Sequence, residues 1–177
     1  QYLNGALSNP KRPFIAVSGG SKVSSKLAIL RNLLGKVDHL IIGGAMANTF
    51  RLDQGIDMGD SLVEADLVGE AKAILDAAAD MRTHVHLPVD FVLAKSFKDG
   101  AAEAASHTGP VPAGLMALDI GPKSVLVFAE LMKGAGTIVW NGPMGAFENP
   151  AFAAGSIGVA KAIVESGGLS IVGGGDN

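Results

Sequence analysis

Cysteine is absent from this 177-residue chain, and aromatic residues make up only 5% of it. The lack of cysteine excludes disulfide scaffolds, thiolate zinc sites and cysteine nucleophiles. Charged residues account for 18% of the chain, below the usual share of about 25%, and the net charge is only −3. No broad basic surface is therefore expected to attract nucleic acid or anionic lipid, and any anion site must be built from a few placed groups.

Long apolar stretches are missing as well. The uncharged run 134–147 contains Asn141, Pro143 and four glycines, and it is too short to cross a bilayer. No segment has the pattern of a secretory signal peptide. These observations predict a cytoplasmic protein outside the membrane. Because the chain begins with Gln1 rather than Met, further natural sequence is expected upstream.

Short apolar runs alternate with stretches of helical periodicity. Strands are predicted at residues 14–18, 39–42, 85–87, 91–94, 137–140 and 169–172. Helices are predicted at 22–35, 45–54, 61–82 (opening with a capping-box pattern), 121–134 and 149–167. The stretch 96–112 has no clear period and is expected to be a surface excursion. Nearly all-apolar strands between helices predict a Rossmann-like, doubly wound three-layer α/β/α domain with a mainly parallel sheet.

Glycine is abundant, with 24 residues, and it concentrates at the ends of predicted strands. Four apolar runs end in glycine-rich turns, after Ser18, Ile42, Trp140 and Val172. In an open parallel sheet these ends lie along one edge, where ligands bind. Glycine permits close approach, and free N–H groups at such turns form anion cradles. The pattern predicts a wide phosphate or nucleotide site; the alternative is that glycine only makes tight turns.

The common nucleotide motifs are absent. No G-x-x-x-x-G-K-[ST] occurs, and no G-x-G-x-x-G follows the first strand. Gly43 and Gly44 end the second strand, where a dinucleotide-binding domain carries an acidic ribose ligand. The first turn instead places Lys22 and Lys26 four residues apart, on one face of the predicted helix. Because two cations there repel each other and oppose the helix dipole, they indicate a bound polyanion; two solvated lysines are the alternative.

Two further features carry open alternatives. His84 and His86 alternate on one face of a predicted strand, but without a third ligand at a recognisable spacing they are interpreted as surface polar residues rather than as a metal pair. Asp90 follows a predicted strand and is interpreted either as a residue at the edge of the site or as a turn or cap residue.

Six segments together resemble the successive signatures of the phosphoglycerate kinase family. In chain order they are GGSKVSSK (19–26), IIGGAM (41–46), LPVD (87–90), LDIGP (118–122), WNGPMGAFE (140–148) and GGGD (173–176). They occur in the family's order over the whole chain. The resemblance implies transfer of a phosphoryl group between 1,3-bisphosphoglycerate and ADP, giving 3-phosphoglycerate and ATP in glycolysis, with Mg²⁺ as the metal.

The resemblance also implies a domain organisation. Residues 1–12 would be a connector from an N-terminal substrate domain, and residues 13–177 would be the nucleotide-binding domain, incomplete at its C-terminus. The expected partners are a nucleotide and, through the other domain, the glycerate phosphates. Neither nucleic acid nor a membrane is an expected partner, a monomer is expected, and the chain alone is expected to lack kinase activity.

Matching motif positions give the expected roles on the first two turns. Lys26 would reach the transferred phosphoryl group, and Lys22 would contact the nucleotide phosphates; these are the expected catalytic residues. Gly20, Gly43 and Gly44 would line the adenine slot.

The later motifs supply the remaining expected contacts. Asn141 and Pro143 would pack along the nucleotide, and Glu148 would bind the ribose hydroxyls. The last motif would close on the phosphates, with Mg²⁺ held by its acid; its residues are Gly174, Gly175, Asp176 and Asn177. Three positions depart from the family pattern, which often has Asp at Ser25 and Gly at Ala45 and Ala117.

Phosphoryl transfer needs positioning and charge stabilisation rather than a protein nucleophile. That requirement agrees with the lack of a recognisable Ser/His/Asp or Cys/His set in the sequence. Two alternatives remain: a dinucleotide-binding oxidoreductase domain of the NAD type, and a phosphate-binding module without turnover.

Overall fold

The computed structural model describes residues 10–173, and its centre is a five-stranded parallel sheet in the order β3-β2-β1-β7-β8. Its strands are β1 (Phe14–Ser18), β2 (His39–Ile42), β3 (His84–His86), β7 (Thr137–Asn141) and β8 (Leu169–Gly173). Every neighbouring pair in this sheet is parallel. The chain winds outward from β1 in one direction and then, through β7, in the other, which confirms the predicted doubly wound topology.

Helices cover both faces of the parallel sheet. The described α-helices are α1 (Leu27–Leu33), α2 (Met46–Asp53), α3 (Val68–Asp80), α4 (Pro122–Met132) and α5 (Ala154–Ser166). Alternate residues of β1 point to the two faces: Phe14 and Ala16 pack with α1, α2 and α3, whereas Ile15 and Val17 pack with α4 and α5. Both faces of each central strand are therefore buried, which explains the nearly continuous apolar runs and confirms the three-layer architecture.

A second sheet of three antiparallel strands lies outside the predicted pattern. Its strands are β4 (Phe91–Ala94), β5 (Ala104–His107) and β6 (Met116–Ile120), in the order β5-β4-β6. The stretch 96–112, expected to be a surface excursion, contains β5, a strand that was not predicted. The sequence of β5, AASH, has short side chains exposed in the middle of the strand. Such a strand has no hydrophobic alternation from which to predict it.

The start of α3 differs from the prediction. A single 3₁₀ turn, Ala65–Leu67, precedes Val68, so the predicted capping box at 61–64 is wrong. The Ser61 hydroxyl oxygen instead accepts a 2.8 Å hydrogen bond from the amide of Ala117. Both ends of the apparent motif serve long-range contacts, because the Glu64 carboxylate binds the loop before α1.

The predicted C-terminal boundary of α5 is confirmed, whereas the helix begins at Ala154, later than the predicted start at Asn149 and Pro150. The side-chain oxygen of Asn149 accepts a 3.0 Å hydrogen bond from the amide of Ala151, which caps the short 3₁₀ turn before the helix. Gly167 ends α5 in the left-handed conformation, with φ of 77°. None of the helices in residues 10–173 has both the length and the apolar character needed to cross a membrane.

Candidate functional site

The carboxyl ends of β1, β2 and β7 meet at one edge of the parallel sheet. The amide of Gly19 donates a 2.7 Å hydrogen bond to the carbonyl of Asn141, and the amide of Gly44 donates a 3.1 Å bond to that of Met144. The predicted convergence of the glycine-rich turns is confirmed for these three strands. The turn after β8 continues beyond the described residues.

Four glycine amides of these turns are already hydrogen-bonded. Their donors are Gly19, Gly20, Gly43 and Gly44, and their acceptors are the carbonyls of Asn141, Pro143, Ser18 and Met144, respectively. These four amides therefore do not contribute free N–H groups to the expected anion cradle, which stays a prediction for the other amides of the turns. Each turn uses its amides to bind the backbone of a neighbouring strand or turn, and a sequence pattern does not reveal that pairing.

Close contact between turns explains why glycine is needed here. Gly44 has φ of 71°, and an added Cβ would lie 2.4 Å from the Gly20 carbonyl oxygen and 2.8 Å from that of Pro143. At Gly43 an added Cβ would lie 2.4 Å from the Met144 sulfur. These glycines thus have a packing role that is independent of any ligand. Gly20 and Gly43 are buried and Gly44 is half-buried; their predicted contacts with adenine stay predictions.

Lys26 lies at the same edge and is only 4% exposed. Its ammonium group donates a hydrogen bond to the side-chain oxygen of Asn141. None of the ion pairs found among residues 10–173 involves Lys26. Burying an ammonium group without a counter-ion is costly. The arrangement therefore suits an anionic ligand that would supply the negative charge.

Lys22 does not share a helix face with Lys26, so that prediction is wrong. Helix α1 begins at Leu27, Lys26 precedes its first residue, and Lys22 is exposed in the preceding loop. The hydroxyl of Ser25 donates a 3.0 Å hydrogen bond to the Lys22 carbonyl. Serine side chains compete in this way for backbone groups and disfavour helix, which explains the late helix start.

Glu64, which lies outside the loop between β1 and α1, holds that loop through hydrogen bonds. One carboxylate oxygen accepts a 3.2 Å hydrogen bond from the amide of Ser24, and the other accepts a 2.8 Å bond from its hydroxyl. The Glu64 amide donates a 3.0 Å bond to the hydroxyl oxygen of Thr49 on α2. Glu64 is therefore a positioning residue for the loop that carries both lysines. In the sequence, Glu64 stood out only as the last residue of a Ser-x-x-Glu pattern, which was interpreted as a local capping box.

The turn after β7 carries the other predicted contacts. Asn141 and Pro143 are half-buried, whereas Glu148 is exposed and accessible. The next residue, Asn149, donates hydrogen bonds of 2.9 and 2.7 Å to the carbonyls of Phe97 and Asp99. The loop that follows β4 is thereby fixed beside this turn. The proposed contact between Glu148 and ribose stays a prediction.

Asp119 links this turn to the start of α5. Its two carboxyl oxygens accept bonds of 2.9 Å from the amide of Ile120 and 2.8 Å from that of Gly155. An added Cβ at Gly145 would lie 2.5 Å from the same carboxyl, so the turn packs directly against it. Burial raises the pKa of Asp119 to about 7, although both hydrogen bonds favour the ionised form.

Asp90 caps α4 from a distant part of the chain. Its carboxylate accepts hydrogen bonds of 3.0 Å from the amide of Lys123, 2.8 Å from that of Ser124 and 2.7 Å from the hydroxyl of Ser106. Burial acts to raise the pKa of Asp90, but these bonds leave it below the ordinary value. Of the two interpretations of this residue, the structure supports the cap.

The described residues provide no ready-made metal centre. Among residues 10–173, no group of three or more acidic or histidine side chains is arranged to hold a metal ion. The predicted Mg²⁺ ligand, Asp176, lies outside the described part of the chain, as do Gly174, Gly175 and Asn177. The expected binding of Mg²⁺ by Asp176 therefore stays a prediction.

Ala117 is one of the three positions that depart from the family pattern. Ala117 is buried in an apolar cluster with Phe91 and Leu93 of the antiparallel sheet. The methyl group at this departure from the family pattern therefore packs in that core.

The topology and the ligand-accessible edge define the class: a Rossmann-like, doubly wound α/β domain, in which ligands bind at the carboxyl ends of the strands. The family model for phosphoglycerate kinase matches residues 1–177. The chain belongs to the phosphoglycerate kinase family, as its six ordered motifs indicated.

Individual relatives agree with this assignment. Phosphoglycerate kinase of Desulfotalea psychrophila is 53% identical over 179 residues, which cover 99% of this chain and 45% of the relative. The solved phosphoglycerate kinase from Coxiella burnetii matches with a TM-score of 0.93 and 44% identity, over 98% of this chain and 45% of its own. The solved phosphoglycerate kinase from Pyrococcus horikoshii matches with a TM-score of 0.82 and 30% identity, over 97% of this chain and 44% of its own. The chain thus spans less than half the length of these relatives.

Proposed function

We propose that this chain supplies the ADP- and ATP-binding part of an enzyme that transfers a phosphoryl group between 1,3-bisphosphoglycerate and ADP. The observation that carries the proposal is Lys26, a buried ammonium group whose described side-chain partner is the neutral amide of Asn141. A phosphate would supply the missing negative charge through charge-assisted hydrogen bonds. Membership of the phosphoglycerate kinase family supports the same reaction, and no observation favours an NAD-type oxidoreductase domain.

Each group at the edge has a physical task in this proposal. The ammonium of Lys26 stabilises charge on the transferred phosphoryl group, and Asn141 fixes its position. The exposed Lys22 contacts the nucleotide phosphates. The Glu148 carboxylate accepts hydrogen bonds from the ribose hydroxyls. Pro143 packs along the nucleotide.

The adenine ring would lie against Gly20, Gly43 and Gly44. Mg²⁺ would be held by Asp176 and would neutralise charge on the phosphates. The glycerate substrate is proposed to bind a part of the enzyme outside residues 1–177. Since transfer requires both substrates in one closed site, the chain alone is expected to show no kinase turnover. A monomeric, cytoplasmic enzyme is part of the same proposal.

Calorimetric titration of the chain with MgADP, NAD and 3-phosphoglycerate separates the candidate functions. We expect measurable heat of binding with MgADP and little with the other two. Tight NAD binding without an ADP effect would overturn the proposal in favour of an oxidoreductase domain. Inorganic phosphate binding with no preference for ADP would favour the module without turnover.

The role of Lys26 has a matched control in the exposed Lys36 at the end of α1. Lys26→Met removes the charge at similar length, and we expect it to weaken MgADP binding by about tenfold or more, since charge-assisted hydrogen bonds contribute roughly 1.5–3 kcal/mol. Lys36→Met should leave the affinity unchanged. Equal affinities for all three proteins would show that Lys26 does not bind the phosphates.

A further inference from the structure

Three of the four histidines of the chain lie together on neighbouring strands of the parallel sheet. His39 on β2 is in register with His84 on β3, and Ile41 is in register with His86. Residues in register, and residues two apart on a strand, project from the same face of a sheet. The ring centroid of His39 is 5.4 Å from that of His84 and 5.1 Å from that of His86.

The closest approach joins Nδ1 of His39 and Nε2 of His86, which are 2.9 Å apart. Both side chains are half-buried, and His84 is exposed beside them. The neighbouring carboxylate of Asp38 is engaged elsewhere, since it accepts hydrogen bonds from Arg12 and from a backbone amide. The two rings therefore meet through nitrogen atoms that share a single proton.

Neutral imidazole is the form of histidine that binds metal ions. Before both facing nitrogens can bind one ion, the ring that donates the shared proton must adopt its other tautomer, with the proton on its second nitrogen.

We propose that His39 and His86 form a binding site for a divalent transition-metal ion with a tetragonal preference, of which Cu²⁺ is the example. Metal–imidazole bonds of about 2.0–2.1 Å place two nitrogens at right angles about 2.9 Å apart, and tetrahedrally arranged nitrogens about 3.3 Å apart. The observed separation of the two hydrogen-bonded nitrogens equals the right-angled value. Binding one ion through both nitrogens requires at least one ring to turn so that the two lone pairs converge.

Water completes the coordination, because no three side chains among residues 10–173 enclose a metal position. His84 is a neighbour and not a ligand in this site. The order of metal affinities for nitrogen ligands places Cu²⁺ above Ni²⁺ and Zn²⁺, and a right-angled pair reinforces that preference. The proposal does not rest on nucleotide binding. His39 begins β2, and His86 ends β3, which is not among the strands β1, β2 and β7 whose carboxyl ends meet at the nucleotide site.

The remaining histidine supplies a matched control. His107 lies on β5, where its ring contacts the carbonyl of Pro110. Titration of the 177-residue chain with Cu²⁺, followed by calorimetry and electron paramagnetic resonance, is expected to show one bound ion with two nitrogen ligands. His39→Gln and His86→Gln should each weaken that binding by about tenfold or more, and His107→Gln should leave it unchanged. His84→Gln should change it by less than about threefold.

The two ligand variants make independent tests, and urea unfolding of each shows whether it retains the fold. Cu²⁺ binding that survives in both His39→Gln and His86→Gln would overturn the proposal, as would its loss in His107→Gln. Binding of Zn²⁺ as tightly as Cu²⁺ would refute the tetragonal geometry. Titration of the double variant His39→Gln/His86→Gln should give no heat beyond that of non-specific surface binding.

Discussion

Replacing Gly44 by alanine tests whether contact between strand-end turns holds this edge together. The residue has φ of 71°, a conformation that costs an alanine about 1–2 kcal/mol. The added methyl group would also lie 2.4 Å from the carbonyl oxygen of Gly20, and 2.8 Å from that of Pro143. These neighbours are backbone atoms, which move only if the turns separate.

The overlap adds about 1–3 kcal/mol, the usual cost of excess volume in a well-packed region. Separating the turns also lengthens the 3.1 Å hydrogen bond from the Gly44 amide to Met144, at a further cost of about 1 kcal/mol. Together these effects predict that Gly44→Ala lowers the free energy of unfolding by about 4 kcal/mol. Domains are commonly stable by about 5–15 kcal/mol, so this variant would lie close to the threshold of folding.

Gly55 is the matched control. It has a similar φ of 83°, but an added Cβ would meet nothing within 4 Å. Gly55→Ala should therefore cost only the conformational strain, about 1–2 kcal/mol. The assay is urea unfolding of the three proteins, compared at a common slope. If the two variants lose stability equally, the close contact between turns contributes nothing and the packing role assigned to these glycines is refuted.

Three carboxylates give further predictions. Glu64→Ala should weaken MgADP binding, measured by calorimetry, about three- to tenfold. Ser24→Ala should weaken it less, because this change removes only one of the two hydrogen bonds between Ser24 and Glu64. Unchanged affinity would mean that the loop holds its position without Glu64. Relative to Asp119→Asn, the native chain should lose about 3 kcal/mol of unfolding free energy between pH 5 and pH 8. The reason is that the pKa of Asp119 in the folded chain, about 7, exceeds the ordinary aspartate value of 3.8, so the unfolded chain loses its proton first. A difference independent of pH would contradict the raised pKa. Asp90→Ala should lower the unfolding free energy by about 3 kcal/mol, because buried amide donors lose their acceptor. Asp90→Asn should lower it by less. Urea unfolding of Asp90→Ala that matches the native chain would exclude the cap.

The parallel sheet was predictable because its strands are buried on both faces. The runs at 14–18 and 39–42 are mostly apolar, with Ser18 and His39 as their polar ends, and they coincide with β1 and β2. In the antiparallel sheet only β4, predicted at 91–94, carries such a signal. In β6 the apolar run is interrupted by Asp119, whose burial depends on amides supplied partly by α5. A local pattern cannot indicate a partner 36 positions away.

The residues of the candidate site likewise divide into those that the sequence identified and those that only the fold revealed. Lys26 and the glycine-rich turns stand in local motifs, and the sequence identified them. Glu64 and Asp90 position the site or its helices through partners 33 to 40 residues away, so their chemistry could be assigned only from the fold. The serines after Lys22 were the one overlooked local signal, since their hydroxyl groups favour a turn at the point where a helix was predicted.

The paired amides also change how this edge would recognise phosphate. Because the amides of Gly19, Gly20, Gly43 and Gly44 are bound to neighbouring backbone, these four groups would not meet negative charge there, and the ammonium of Lys26 becomes more important. An ammonium is a point charge that imposes little direction of its own, so its position depends on Asn141. The backbone of Asn141 is in turn held by the Gly19 amide at 2.7 Å. The glycines would thus act on a bound phosphate indirectly, because they fix Asn141, which in turn fixes Lys26. Substitutions at Gly44 and Lys26 should therefore separate stability from phosphate affinity.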